Sequence, residues 1–414
     1  MPESPRLDSI RTDTVTGLLA QIADVGRDHQ RGGYSRPVFS AAERDLTGWF
    51  TEQASRRGLD VHTDLNGITW ASMGELSAGD AVVTGSHLDS VPGGGAFDGP
   101  LGICSALVAI DRLHERGVVP RRPLAIAVFP EEEGSRFGVA CLGSRLLTGA
   151  IDADRARSLR DEGGATFAEV ATAGGLDPRF LGQDDGTLAT IGTFLELHVE
   201  QGRGLIDLGR PVGIARSILG HGRWRITVSG QGNHAGSTLM ADRRDPMLAA
   251  AQIVVAVREA ALAHPDARAT VGRLNPMPGG TNVIASTVDL WLDVRHPQDH
   301  ITAAVVQRIT GEAERLAAEE GCSVRVVEES LSGTVEFPTG LRDRLEGLLP
   351  DSPLLDTGAG HDAGVLGARV EAAMLFVRNP TGVSHSPEEH VEADDAEAGS
   401  IALADALEAL LTRD

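Results

Sequence analysis

Two apolar runs that end abruptly in imidazole or carboxylate side chains, with one helix-length segment between them, limit what this chain can fold into. The run Ala81–Thr84 closes on Gly85-Ser86-His87-Leu88-Asp89, and a glycine-rich turn, Pro92–Gly95, then carries the chain to Asp98. A helix is expected over Gly99–Glu115, closed by Gly117. The second run, Leu124–Phe129, ends in Glu131-Glu132-Glu133. Unbroken apolar runs of this length read as strands covered on both faces. In strand–helix–strand order they predict a doubly wound α/β sheet, which keeps its sites at the carboxyl ends of its strands. A third such strand, Ile191–Leu197, leads into His198-Val199-Glu200-Gln201.

The remaining chain extends this centre and then departs from it. An amphipathic helix is expected over Leu7–Asp28, from the spacing of Ile10, Val15, Leu18, Leu19 and Ile22. Ser40-Ala41-Ala42-Glu43 is a capping box that opens a second helix, ending at Gly58. Leu59–Leu65 and Ile68–Met73, split by Asn66-Gly67, read as a hairpin. Ala150–Ala189 offers only short helices and loops. Beyond Arg210-Pro211 the pattern changes. Trp224–Ser229, Ser286–Asp293 and Ser323–Val327 alternate, while Asp245–Ala263 and Ile301–Glu320 are helical. A small antiparallel sheet with two helices on one face accounts for this stretch, and it reads as an insertion. The first pattern returns with a helix at Gly340–Leu348, a strand at Ala372–Val377 and a closing helix at Asp394–Leu411. The expected division is a catalytic domain in two parts, 1–213 and 330–414, around an inserted α+β domain, 214–329.

Composition removes several classes of function. The chain has 414 residues, enough for two domains, and 37 basic against 59 acidic side chains give a formal charge of -22. That balance opposes binding to nucleic acid or to an anionic membrane. All the basic side chains are Arg, so Schiff-base and P-loop chemistry, which need Lys, are excluded. Cys104, Cys141 and Cys322 are far apart and form no CxxC pair, which fits a reducing compartment and argues against a thiolate zinc site. No apolar run approaches the roughly 20 residues of a membrane span, and no signal-peptide pattern opens the chain, so the cytoplasm is the expected location.

The polar strand ends carry the chemistry. Histidine and carboxylate together suit a borderline divalent metal. Of two neighbouring carboxylates, one can bind an ion while the other takes a proton from water. Asp89 can accept the second imidazole N–H of His87 and fix which nitrogen faces an ion. Singly, each has a plainer reading: a solvated strand end for His87 and Asp89, an acidic turn for Glu131–Glu133, a core histidine for His198, a loop histidine for His385. Together they call for a shared site.

The segments GSHLDSVPGGGAFDGPLG, PEEEGSRFG, ELHVEQG, NHAGSTLMADRRDP, NVIASTVDLWLDVR, GAGHDA and GVSHSPEE, in this order, resemble the dinuclear-metal amidohydrolases of the M20 metallopeptidase superfamily. The branch most similar contains N-carbamoyl-L-amino acid hydrolases, allantoate amidohydrolases and β-ureidopropionases, and His198 stands where the exopeptidases usually place an acidic ligand. The resemblance implies that His87, Asp98, Glu133, His198 and His385 hold two divalent ions, zinc first, with manganese, cobalt or nickel as alternatives, and that Asp98 bridges them. Glu132 would be the general base, with Glu131 an extra acid beside it, or the base itself if the register is one residue off. Two such ions, about 3.5 Å apart, lower the pKa of a shared water, and Glu132 would take its proton and return it to the leaving nitrogen. His234 would reach from the smaller domain into the site of the other subunit and stabilise the oxyanion there, implying a homodimer and a lid or dimerisation role for the inserted domain. Here His-Ala-Gly is followed by Ser237-Thr238-Leu239 in place of the usual Thr-Thr-Pro. Gln201, Asn282 and Arg295 would bind substrate, Arg295 as a fork for an α-carboxylate, with His361 in support.

The expected reaction is therefore hydrolysis of an N-carbamoyl or ureido C–N bond, releasing ammonia, carbon dioxide and an amine. Its rivals are allantoate hydrolysis on the same scaffold, a peptidase or N-acyl amino acid acylase, and a catalytically silent binding protein.

Overall fold

In the computed structural model, which describes residues 13–76 and 79–413, Ala81–His87 is a strand buried along its whole length. Leu124–Phe129 and Ile191–Val199 lie on either side of it, both parallel to it, and Glu371–Val377 continues the parallel run beyond Ile191–Val199. Thr69–Met73 and Val212–Ile218 flank this parallel centre antiparallel, so the sheet is mixed. The chain leaves Ala81–His87 for Leu124–Phe129 on one side and returns to its other side with Ile191–Val199. The order of strands thus reverses at His87, which puts the end of this strand at the topological switch point where such sheets bind ligands.

Ile191–Val199 shows how the sheet separates core from site. Leu195, Leu197 and Val199 enter the main core with Leu101, Leu107, Leu403 and Leu407 from helices Pro100–Glu115 and Ala393–Leu411. Each such side chain contributes about 1.5–3 kcal/mol on burial. Glu196 and His198 point to the opposite face, where the backbone N–H of Ala363, in helix Asp362–Leu366, donates to Glu196 Oε2 at 2.9 Å. Both faces are covered, as the apolar runs imply, and the second carries Glu196 and His198 beside the buried Phe194.

Local chemistry fixes the helix ends. Ser40 Oγ accepts the Glu43 N–H at 3.2 Å, but the Glu43 carboxylate reaches back to Phe39 N, one residue earlier than a standard box. The first helix is shorter than its periodicity suggests: it spans Val15–Gln21, with Thr14 accepting the Gly17 N–H. Residues 7–12 of that expectation lie outside the described residues. Beyond Ile22 the chain turns because the buried Arg36 guanidinium donates to the Ile22 and Val25 carbonyls. Leu59–Met73 forms the expected hairpin, with Asp60–Thr63 antiparallel to Thr69–Met73.

One buried ion pair joins two of these helices. Arg57, just beyond helix Ala41–Arg56, donates to Asp111 Oδ2 at 2.7 Å, and both side chains are buried. Arg57 also donates to the half-exposed Asp13 at 3.0 Å, so replacing Asp111 by Ala removes the buried one of two counter-charges, and a loss of about 1–3 kcal/mol in urea unfolding is expected. A variant as stable as the parent would show that the pair contributes nothing net.

Ser217–Glu336 forms its own compact unit, and the other unit is built from the described chain on both sides of it, up to Arg216 and from Phe337 onward. The expected boundaries fell at 213/214 and 329/330. This smaller unit holds a four-stranded antiparallel sheet in the order Ser323–Ser332, Gly220–Ser229, Thr287–His296, Arg268–Met277. Ile226, Val228, Leu290 and Leu292 from the sheet form its core with Ile253 and Val257 of helix Pro246–Leu262 and Ile309 and Leu316 of helix Asp299–Glu319. The Arg268–Met277 strand was not anticipated. It is an edge strand containing Gly272 and Pro276, and its register shifts opposite Trp291/Leu292, which blurs the period of two.

Candidate metal centre

The carboxyl ends of two neighbouring parallel strands place two imidazoles side by side. His87 and His198 have ring centroids 5.7 Å apart, and each ring is fixed through Nδ1, His87 on the Asp89 carbonyl at 3.0 Å and His198 on the Val199 carbonyl at 2.9 Å. Both Nε2 atoms are left pointing at one oxygen: Asp98 Oδ1 lies 3.4 Å from His87 Nε2 and 3.1 Å from His198 Nε2. Neither Nε2 has a hydrogen-bond partner of good geometry, although both are buried. Gly99 makes the approach possible, since a β-carbon there, at φ +84°, would sit 2.6 Å from the His87 ring.

Asp98 offers its second oxygen to a different pair. His385 Nε2 lies 3.4 Å from Asp98 Oδ2 and 3.2 Å from Glu133 Oε2. Two groups able to hold a metal ion, His87/Asp98/His198 and Asp98/Glu133/His385, therefore share one carboxylate. Gln201 Nε2 donates to Asp98 Oδ2 at 2.9 Å, so this expected substrate residue stands against the shared carboxylate.

The three consecutive glutamates have different surroundings. Glu133 faces His385. Glu132 is buried, with Oε2 3.6 Å from His87 Nε2 and Oε1 3.8 Å from His361 Nδ1, and the Cys141 thiol lies 3.7 Å from Oε1. Glu131, at φ +56°, turns away and accepts the N–H groups of Arg136 and Phe137 at 3.0 and 2.6 Å. It fastens the following loop. Asp89 also differs from its expected role: the His87 imidazole meets the Asp89 backbone carbonyl, while the Asp89 carboxylate, 3.6 Å from Nδ1, accepts the Glu132 and Glu133 N–H groups, each at 3.2 Å. A two-residue step along the chain brings the carbonyl to the ring first and frees the carboxylate to hold the neighbouring loop.

Burial and charge act on all of these groups. Burial pushes Glu132 well above the ordinary carboxylate range, His87 opposing and Asp362 and Glu133 adding to it. Burial likewise raises Glu131 to about 8, with Asp89 adding to the shift, and Asp89 to about 7 against the pull of His87. Burial would also raise Asp98, but the close imidazoles of His198, His385 and His87 outweigh it and hold Asp98 well below the usual range. His385 is lowered by burial, yet Asp98 and Glu133 raise it to about 11. His361 is pushed well below its ordinary value by burial and by His198, and both of its ring nitrogens lack a hydrogen-bond partner. A crowd of buried carboxylates around orphaned imidazole nitrogens fits a divalent cation, which would offset the like charges and bind the free nitrogens.

The remaining expected residues belong to the smaller unit. His234, exposed, pairs with Val283 across two short strands, and the Ala235 N–H donates to the Asn282 carbonyl at 2.9 Å, so His234 and Asn282 are neighbours. Arg295 is engaged within its own strand: its Nε and a terminal nitrogen donate to the two oxygens of Asp293 at 2.7 and 3.0 Å.

Glu389 was missed. It is buried, and its Oε1 accepts the Phe97 and Asp98 N–H groups at 3.1 and 3.0 Å, while Oε2 accepts the Ser384 hydroxyl at 2.9 Å. Burial, with Asp98 nearby, raises it to about 7. Its signal was faint, one acid among Pro387-Glu388-Glu389-His390, and only Gly95 hints at it, since a β-carbon there would lie 2.2 Å from the Glu389 carboxylate.

The chain is similar to known proteins along most of its length. The family model for peptidase family M20/M25/M40 matches residues 83–409. An N-carbamoyl-L-amino acid amidohydrolase of Geobacillus stearothermophilus is 36% identical over 389 residues, 92% of this chain and 94% of the relative. An allantoate amidohydrolase of Bacillus subtilis is 32% identical over 405 residues, 95% and 97% of the two chains. Among solved structures, an amidase of the hydantoinase/carbamoylase family from Burkholderia vietnamiensis superposes with a TM-score of 0.90 at 29% identity, covering 98% of this chain and all of that one (100%).

Proposed function

We propose that this chain, which belongs to peptidase family M20/M25/M40, is a metal-dependent hydrolase of non-peptide C–N bonds that cleaves N-carbamoyl amino acids to the amino acid, ammonia and carbon dioxide. The observation that carries the metal reading is Asp98, whose two oxygens face two separate sets of ligands. His87 and His198 would hold one ion, Glu133 and His385 the other, and Asp98 both. Zinc suits this mixture of imidazole and carboxylate, as do manganese, cobalt and nickel. Ions bound there would supply Lewis acidity and lower the pKa of water.

The chain's own residues do the rest. Glu132, with one oxygen toward His87 and the other toward His361, takes the proton of the attacking water and hands it to the leaving nitrogen. Asp89 holds Glu132 and Glu133 in place through their N–H groups, and His361 offers a neutral ring with unused nitrogens to the substrate. Gln201, Asn282 and Arg295 complete the substrate contacts in this reading, and His234 the oxyanion contact. We take the working form to be a cytoplasmic homodimer. An outward apolar stripe on helix Pro246–Leu262, with Leu248 43%, Val255 58% and Leu262 69% exposed, supports self-association. Among the described residues no helix is long and apolar enough to cross a membrane.

The substrate is supported by the named activity of the Geobacillus relative, and allantoate, by that of the Bacillus relative, is the second reading. Metal-reconstituted protein assayed side by side on several N-carbamoyl-L-amino acids, N-carbamoyl-β-alanine, allantoate, N-acetyl amino acids and dipeptides separates them. The highest kcat/KM is expected on an N-carbamoyl-L-amino acid. A higher value on allantoate replaces the first reading with the second, and activity on dipeptides alone removes both.

A further inference from the structure

Glu389 ties together the two loops that meet at Asp98. One oxygen receives two consecutive amides, Phe97 and Asp98, and the other receives the hydroxyl of Ser384, which directly precedes His385. His385 itself sits at φ +57°, a conformation a bulky residue holds only when its neighbours impose it. Ser384 Oγ also lies 3.4 Å from Asp98 Oδ2, the oxygen that faces His385. Gly95 leaves the space that the carboxylate fills. No comparable contact runs from Glu389 to His87 or His198, whose rings are fixed by the carbonyls of Asp89 and Val199.

Resting on the metal reading above, we propose that Glu389 is a positioning residue for one half of the centre. It orients Asp98 Oδ2 and His385 toward the Glu133-side ion, and it leaves the His87/His198 side to its own supports. The role lies in accepting hydrogen bonds, so a glutamine can fill it: its carbonyl accepts the two amides and its NH2 group donates to Ser384 Oγ.

The test is stepwise zinc titration of the full chain by calorimetry, with metal content after dialysis, for the parent, Glu389→Ala, Glu389→Gln and His385→Ala. In Glu389→Ala one ion is expected to bind about 10–100-fold more weakly, the range for lost outer-shell support. It should be the same ion that His385→Ala loses, with the other ion unchanged and Glu389→Gln close to the parent. Amide exchange at Phe97 and Asp98, read on metal-stripped protein, is expected to speed up in Glu389→Ala and to be restored in Glu389→Gln. Parental titration of Glu389→Ala, equal weakening of both ions, or a Gln variant as impaired as the Ala variant overturns the proposal. Parent protein that binds no zinc is the separate failure of the metal reading, and the exchange measurement then decides the role of Glu389 by itself.

Discussion

Glu132→Gln is expected to keep its full complement of metal and to lose about 10²–10⁴-fold in kcat, the usual contribution of a positioned general acid–base group. The isosteric amide preserves the packing of a buried side chain whose oxygens lie 3.6 Å from His87 Nε2 and 3.8 Å from His361 Nδ1. It removes only the capacity to carry a proton. KM is expected to move little, because the loss falls on a group used in the transition state. Elemental analysis and steady-state kinetics on the same preparation check both halves. Near-parental turnover with full metal means that the base is another group. The orientation of Glu131 toward Arg136 and Phe137 already sets it apart from Glu132 as the alternative.

Asp98→Ala is expected to give the opposite signature. Here both ions leave, because the one carboxylate common to both ligand sets is gone, and activity falls by about 10³-fold or more, equivalent to several kcal/mol of lost transition-state stabilisation. The three imidazoles around it lose the negative charge that supports them, so adding excess zinc should not restore the rate. Metal content by elemental analysis after dialysis is the deciding measurement. Two tightly held ions in Asp98→Ala would show that the ligand sets are independent, and the shared-carboxylate reading would fall. Taken with Glu132→Gln, this variant separates loss of the cation from loss of the proton carrier.

The parts of the molecule readable in advance are those where burial and polarity collide. A run such as Leu124–Phe129 must be covered on both faces, so glutamates directly after it are not an ordinary turn, and the same reasoning marks His87 and His198. What escaped reading depends on distance or on backbone. Glu389 acts on Asp98 across 291 positions of sequence, through a main-chain amide that any residue possesses, so nothing in its local composition announces it. The Asp89 carboxylate met the Glu132 and Glu133 amides for a like reason. Arg295 is a different lesson: Asp293 lies two residues away, on the same face of a strand, and the period of two predicts the bidentate contact that was overlooked. The Arg268–Met277 edge strand was hidden by its glycine, its proline and the slip in register, each of which erases alternation.

Gly99 bears on any attempt to remodel this enzyme. The helix Pro100–Glu115 starts directly beneath an imidazole only because nothing projects from the preceding residue. The position is consequently closed to decoration, and saturation libraries there should yield almost nothing that works.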